Sequence, residues 1–169
     1  MQGIGRLFVF LLMLSVLFHA ASAVASSWTA EVIRVNDGDS ITVKHDKRIV
    51  KVRLYGIDSP EIEQPYGRTS RSIVRQWLVG KRVKVEPMYR DSYGRTVAQV
   101  WAGDALVNAE LVKNGAAWVY PRFCRERDIC EPMARMQQNA QQARLGLWQN
   151  EKPEPPWQWK RKQRQQSRR

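Results

Sequence analysis

The chain has 169 residues, 28 Lys and Arg against 16 Asp and Glu, and a net charge of +12. That length supports one domain with a substantial core and excludes two. A surface this basic calls for a polyanionic partner or an anionic membrane face, and charge alone does not choose between them.

The first residues read as an address. Arg6 precedes an apolar run from Leu7 to Phe18, and Ala21-Ser22-Ala23 then offers a small-x-small cleavage site, with Ala23-Val24-Ala25 as a second option. This is the layout of a signal peptide over residues 1–23. The alternative, a retained membrane anchor, needs ~20 apolar residues, and this run is shorter. The expectation is therefore an exported protein, periplasmic or secreted, with no stable membrane association after cleavage. Only Arg6 among the cations lies in the leader, so cleavage leaves the basic balance intact. Export also bears on Cys124 and Cys130, the two cysteines. A bridge between them would close a small loop and stabilise by roughly 2 kcal/mol. Two free thiols are the alternative; with no nearby histidine they make a poor zinc set.

Trp28 to Asn36 predicts a first strand, with Val32 and Ile33 marking where a bulge or edge disturbs strict alternation. Asp37-Gly38-Asp39 is a turn signal, and Ser40 to Lys44 returns as the second strand of a hairpin. His45-Asp46-Lys47 turns the chain into a third strand, where Val50, Val52 and Leu54 alternate with Lys51, Arg53 and Tyr55. Gly56 and Pro60 break that pattern, and Asp58 and Glu61 follow the strand end. A helix comes next, capped by Thr69 or Ser70, with Ile73, Val74, Trp77 and Leu78 on one stripe and Gly80 at its end. Lys81 to Pro87 and Arg95 to Ala102 predict two more strands. Asn108 caps a short helix stopped by Gly115, and Ala116 to Tyr120 is extended. Ile129, Met133, Met136, Ala140 and Ala143 recur at helical spacing in a last helix. Beyond Trp148, three prolines oppose regular structure, and residues 151–169 form a Pro/Trp and basic tail that adds phosphate contacts and no chemistry. Five short strands with interleaved helices suggest a small closed barrel of the OB type over residues 24–150, a mainly β architecture with helices (α+β).

Arg53, Asp58 and Glu61 put a cation, an acid suited to a metal and an acid suited to a proton at one strand end. That is equipment for attacking a phosphate ester. Taken singly, Asp37-Gly38-Asp39 is an ordinary turn and Tyr93-Gly94-Arg95 a plausible hairpin tip.

In order, the motifs DGDS (37–40), VRLYGIDSPE (52–61), DSYGR (91–95) and VNAELVKNGAAWVY (107–120) resemble those of the staphylococcal nuclease (thermonuclease) family, with agreement from about Trp28 to Trp148. The resemblance implies a five-stranded OB-fold barrel with three helices. It also implies a calcium-dependent endonuclease acting on DNA or RNA and leaving 3′-phosphates, here a monomer by expectation. By position, Asp39, Asp58 and the Ser59 carbonyl correspond to metal ligands, Glu61 to the general base, and Arg53 and Arg95 to the catalytic arginines. Tyr93 and Tyr120 correspond to tyrosines bordering the nucleotide pocket. Two other classes compete: a barrel that binds nucleic acid or modified peptides without cutting, and a basic membrane-surface protein. The first typically lacks these acids and arginines, and the second leaves the acid pair unexplained.

Overall fold

A computed structural model of the protein describes residues 26–167; the residues read as a signal peptide lie outside them. Three antiparallel strands come first: β1 (Trp28–Asp37), β2 (Ser40–His45) and β3 (Arg48–Leu54). After a two-residue strand β4 (Ile57–Asp58) and helix α1 (Gly67–Leu78), strand β5 (Arg82–Arg90) returns along β1, and β6 (Thr96–Ala102) along β5. The barrel closes where β6 pairs in parallel with β3, setting Val52 against Thr96 and Arg53 against Val97. This is the five-stranded closed barrel expected. The alternation in β3 explains its role: Val52 and Leu54 are buried inside, while Lys51 is exposed.

The bulge foreseen in β1 is present. The register with β2 shifts between Val32 and Arg34, so Val32 and Val35 both face the core and Ile33 is left outside. One extra residue in a strand reverses the side-chain phase, which is how an odd spacing of apolar residues still fills a barrel. Alternating residues of all five long strands, with Val74 and Leu78 from α1 and Met133 from a later helix, make one contiguous core.

The short strand β7 (Ala105–Leu106) leads into α2 (Val107–Lys113), and β8 (Trp118–Val119) pairs with β4, placing Asp58 opposite Trp118. Helix α3 (Arg127–Gln142), a 3-10 turn (Gly146–Gln149) and a further helix, α4 (Pro156–Gln166), complete the chain. Four α-helices among the described residues, rather than three, is a correction. The prolines that argue against regular structure sit at the start of α4, with Pro156 in its first turn, where a missing N–H costs nothing.

Two helix starts also differ from expectation. Helix α1 begins at Gly67 after a left-handed Tyr66, ahead of Thr69 and Ser70, and Ser70 instead donates its hydroxyl to the Ala116 carbonyl at 2.6 Å. Asn108 lies inside α2, fully buried. Its carboxamide accepts the Val100 N–H at 3.1 Å and donates to the Tyr55 and Ala98 carbonyls at 3.0 and 3.2 Å. It therefore ties α2 to the two strands that close the barrel.

Cys124 and Cys130 are bridged, joining the loop before α3 to its first turns. That loop packs on the end of β3: the Tyr55 hydroxyl accepts N–H groups from Arg125 and Glu126, and Tyr120 N–H donates to the Gly56 carbonyl at 2.8 Å. The bridge thus braces the turn that aims Asp58.

Asn108→Ala would strand the buried Val100 N–H and Tyr55 carbonyl, while the Ala98 carbonyl keeps the Tyr55 N–H at 2.8 Å, so we expect a loss of about 2 kcal/mol in urea unfolding. A change below about 1 kcal/mol would show that the Asn108 amide does not tie these segments together.

Candidate active site

Two turns and one strand end assemble the acids. At the β1–β2 turn, Asp37 Oδ1 accepts the Asp39 N–H at 3.1 Å, which sets the Asp39 carboxylate inward to accept the Ser59 N–H. Gly38 is required there, because a Cβ would collide with the Ser70 hydroxyl of α1 and stand 2.7 Å from that of Ser59. Close packing of the turn on both segments is what brings Asp39 to Ser59. The Glu61 loop is pinned similarly: Gly67, the first residue of α1, packs so closely that any Cβ would strike the Glu61 carbonyl.

Arg53 is the junction. Its Nη1 lies 2.7 Å from Asp39 Oδ1 and its Nη2 2.8 Å from Asp58 Oδ1. The planar fork spans two carboxylates with fixed geometry, which a lysine could not do. Only 1% of the Asp58 side chain is exposed, and its second oxygen, Oδ2, is buried without a hydrogen-bond partner.

The electrostatics follow from crowding. Burial, then the Asp39 charge, pushes Asp58 up to about 6, against the pull of Arg53 and Lys160. Burial and the neighbouring Asp39 likewise raise Asp37 to about 8. Arg53 is opposed by its own burial, yet Asp39 and Asp58 more than offset this and hold it charged.

Asp39, Arg53, Asp58 and Ser59 therefore converge as the sequence predicts, although Ser59 meets the cluster through its N–H. Glu61 joins them through a residue outside the predicted set. Lys160 of α4 places its ammonium 3.2 Å from Asp58 Oδ1 and 2.7 Å from Glu61 Oε1. Arg95 lines the same cleft of about 820 Å³ as Arg53 and Asp58, but Asp91 Oδ2 holds its Nε at 2.7 Å. Tyr93 is exposed at the hairpin tip, its ring 5.4 Å from the Arg95 guanidinium carbon. Tyr120 lines the same cleft, its ring stacked on Trp157 of α4.

Three residues of the site have no role assigned from the sequence. Asp37 is visible as part of an acidic turn and passes locally for a turn residue alone. Lys160 carries no signal, being one cation in a basic end, while Trp157, like Trp159, reads only as a ring able to dock back on the domain.

Comparison with known proteins is consistent across kingdoms. The family described as "Staphylococcal nuclease homologue" matches residues 51–150. The chain belongs to the staphylococcal nuclease family. Among relatives of this nuclease, an uncharacterized endonuclease of Escherichia coli O157:H7 is 42% identical over 130 residues, covering 76% of this chain and 82% of the other. Protein ParB of Escherichia coli is 37% identical over 150 residues, covering 83% of this chain and 84% of its own. A probable staphylococcal-like nuclease of Oryza sativa subsp. japonica is 31% identical over 150 residues, 87% of this chain but 37% of the longer plant protein. The protein is thus a nuclease, a hydrolase whose substrate is nucleic acid.

The family implies a metal, and the acids of the nuclease fit one. Asp37, Asp39, Asp58 and Glu61 outnumber the cations at the cluster, Arg53 and Lys160, by two charges when all are ionised. The unpartnered Asp58 Oδ2 is an oxygen donor of the kind a hard divalent ion takes. Among the described residues no three His, Cys, Asp or Glu side chains converge on one point. Arg53 and Lys160 are interposed between the acids, and a carbonyl with waters would have to complete a coordination shell.

The raised carboxylates make a pH prediction for the metal-free nuclease. An acid whose pKa is higher folded than unfolded favours the fold below its unfolded value. That advantage disappears as pH rises through the folded value, about 6 for Asp58 and about 8 for Asp37. In chelator, the melting midpoint should fall between about pH 5 and about pH 9, and Asp37→Asn should flatten the upper part of the fall. A midpoint that rises over that range would refute the crowding.

Proposed function

We propose that the protein is an exported, calcium-dependent endonuclease that hydrolyses phosphodiester bonds of DNA and RNA and leaves 3′-phosphates. The observation that carries this reading is the Arg53 fork held between Asp39 and Asp58 at the end of a cleft also lined by Arg95 and Tyr93. Asp39 and Asp58, with the Ser59 carbonyl, would hold the ion, which when bound supplies positive charge against the phosphate and lowers the pKa of water.

The chain's own groups do the rest. Glu61, 42% exposed in its side chain, is open enough to meet a water and takes its proton as the oxygen attacks phosphorus. Arg53 and Arg95 each donate two N–H groups to phosphate oxygens and stabilise the charge that builds on them. The bond from phosphorus to the 5′ oxygen breaks, that oxygen takes a proton from solvent, and the phosphate stays on the 3′ side. Tyr93 and Tyr120, which both line the cleft, offer ring faces to the flanking nucleosides. The basic surface adds sequence-independent attraction for the strand.

Support for export comes from the leader-like residues 1–23 and from the Cys124–Cys130 bridge, which persists in oxidising compartments. No described helix is long and apolar enough to cross a membrane.

Denatured DNA and RNA should be degraded with calcium and spared in excess chelator, and the products should resist polymerase extension until a 3′-phosphatase is added. Glu61→Gln should lower kcat by about 10²–10⁴-fold with an unchanged circular dichroism spectrum. Arg53→Lys should also lose most activity, since one point charge replaces the fork. Full turnover by Glu61→Gln would remove Glu61 as the base, and digestion in chelator would remove the metal.

A further inference from the structure

Helix α4 fills the positions that ligands of this cleft need. Trp157 lies parallel to Tyr120, with ring centroids 4.7 Å apart and planes 6° apart, and edge-on to Trp118 at 5.9 Å. Less than one helical turn later, Lys160 reaches Asp58 and Glu61. An aromatic ring thus covers the tyrosine face that would stack a base, and a cation sits on the acids that would hold and assist a metal. Burial pulls the Lys160 ammonium down, but Asp58 and Glu61 more than offset this and keep it charged.

The helix is built to be held lightly. Its start is tethered, with Pro156 buried, Gln64 donating to the Glu154 carbonyl at 2.6 Å, and Lys162 paired with Glu154 at 2.7 Å. Every described residue after Lys160 is exposed. Beyond that tether the helix is held by Trp157 against Tyr120 and Trp118, by half-buried Trp159 and by the two ionic contacts of Lys160; the stack on Tyr120 and the ionic pair are the contacts that can exchange with solvent or ligand.

Lys160 and a divalent cation would compete for the Asp58 carboxylate, the ammonium at Oδ1 and the ion at the unpartnered Oδ2. Calcium takes carboxylate oxygens at about 2.3–2.6 Å. An ammonium 3.2 Å from Asp58 Oδ1 would then be a like charge a few ångströms from a doubly charged ion. We propose that Lys160 is a tethered counter-cation of the metal site, so that metal uptake and withdrawal of α4 from the cleft are one coupled equilibrium. This rests on the assignment of Asp39 and Asp58 as metal ligands. Without metal, Lys160 neutralises the acids and Trp157 covers Tyr120. With metal, both side chains leave, the Tyr120 face opens to a base, and Arg161 and Arg164, which line the same cleft, are free to follow phosphates. The coupling is reciprocal: the docked helix lowers metal affinity by the same factor by which bound metal lowers docking.

Calcium titration calorimetry on the purified wild type, Lys160→Met, Lys160→Arg and Trp157→Ala tests this, together with hydrogen exchange of residues 156–166. Apparent affinity falls with the fraction of molecules in which the site is free, so Lys160→Met should bind calcium about five-fold or more tightly. Trp157→Ala keeps the lysine but loses the stack, and should move the same way, while Lys160→Arg stays near wild type. Exchange of the 156–166 amides should speed up when calcium is added to wild type. Equal calcium affinities in wild type, Lys160→Met and Trp157→Ala, with exchange unmoved, would overturn the coupling and leave the metal assignment standing. No calcium binding by any of the four would overturn both.

Discussion

The site depends on one buried ionic junction. Arg53 is drawn out of water between Asp39 and Asp58, and such burial is favourable only when the geometry of each contact is good. The guanidinium fork meets that demand because its two ends can satisfy two acids at once. Removing any member would leave an uncompensated charge in a poorly solvated place. The three positions are therefore locked to each other, and the strand and turns that carry them are locked too.

The barrel supplies the frame for that junction. Arg53 comes from the strand whose parallel pairing with β6 closes the sheet, so the register that closes the barrel also sets Arg53 beside the Arg95 hairpin. The tight Gly38 and Gly67 contacts fix the two loops against α1. Behind the strand end, the Asn108 carboxamide, the Tyr55 hydroxyl and the Cys124–Cys130 bridge hold the turn before Asp58. The catalytic groups themselves sit at strand ends and in loops, where the backbone is free of ladder constraints and can aim a side chain.

The cluster is also a problem in charge balance. Four acids gather around one fixed cation, and their repulsion and burial raise Asp37 and Asp58. Such a cluster draws cations, and the chain brings its own in Lys160. A mobile ion and a tethered ammonium answer the same electrostatic need. They differ in charge, in ligand distance and in the conformational freedom each leaves to the chain.

Much of this was legible in the letters. Period-two alternation placed the five strands, and even the β1 bulge, because a barrel strand must show one apolar face to a small interior. The order of short motifs carried the family, and with it Asp39, Arg53, Asp58 and Glu61, since a strand end followed by a tight turn leaves little choice of where those side chains project. Tertiary packing decided what local sequence could not. Asn108 reads as a cap by its neighbours, yet its amide is spent on β6 and on Tyr55, the residue that follows β3. Proline residues 153, 155 and 156 read as breakers, yet Pro156 opens a helix. Lys160 is one cation in a basic run, and its partners lie about a hundred residues away in sequence. Local patterns report on the i, i+2 and i, i+4 neighbours that a backbone imposes. An ion pair closed across the whole chain depends on where every intervening element packs.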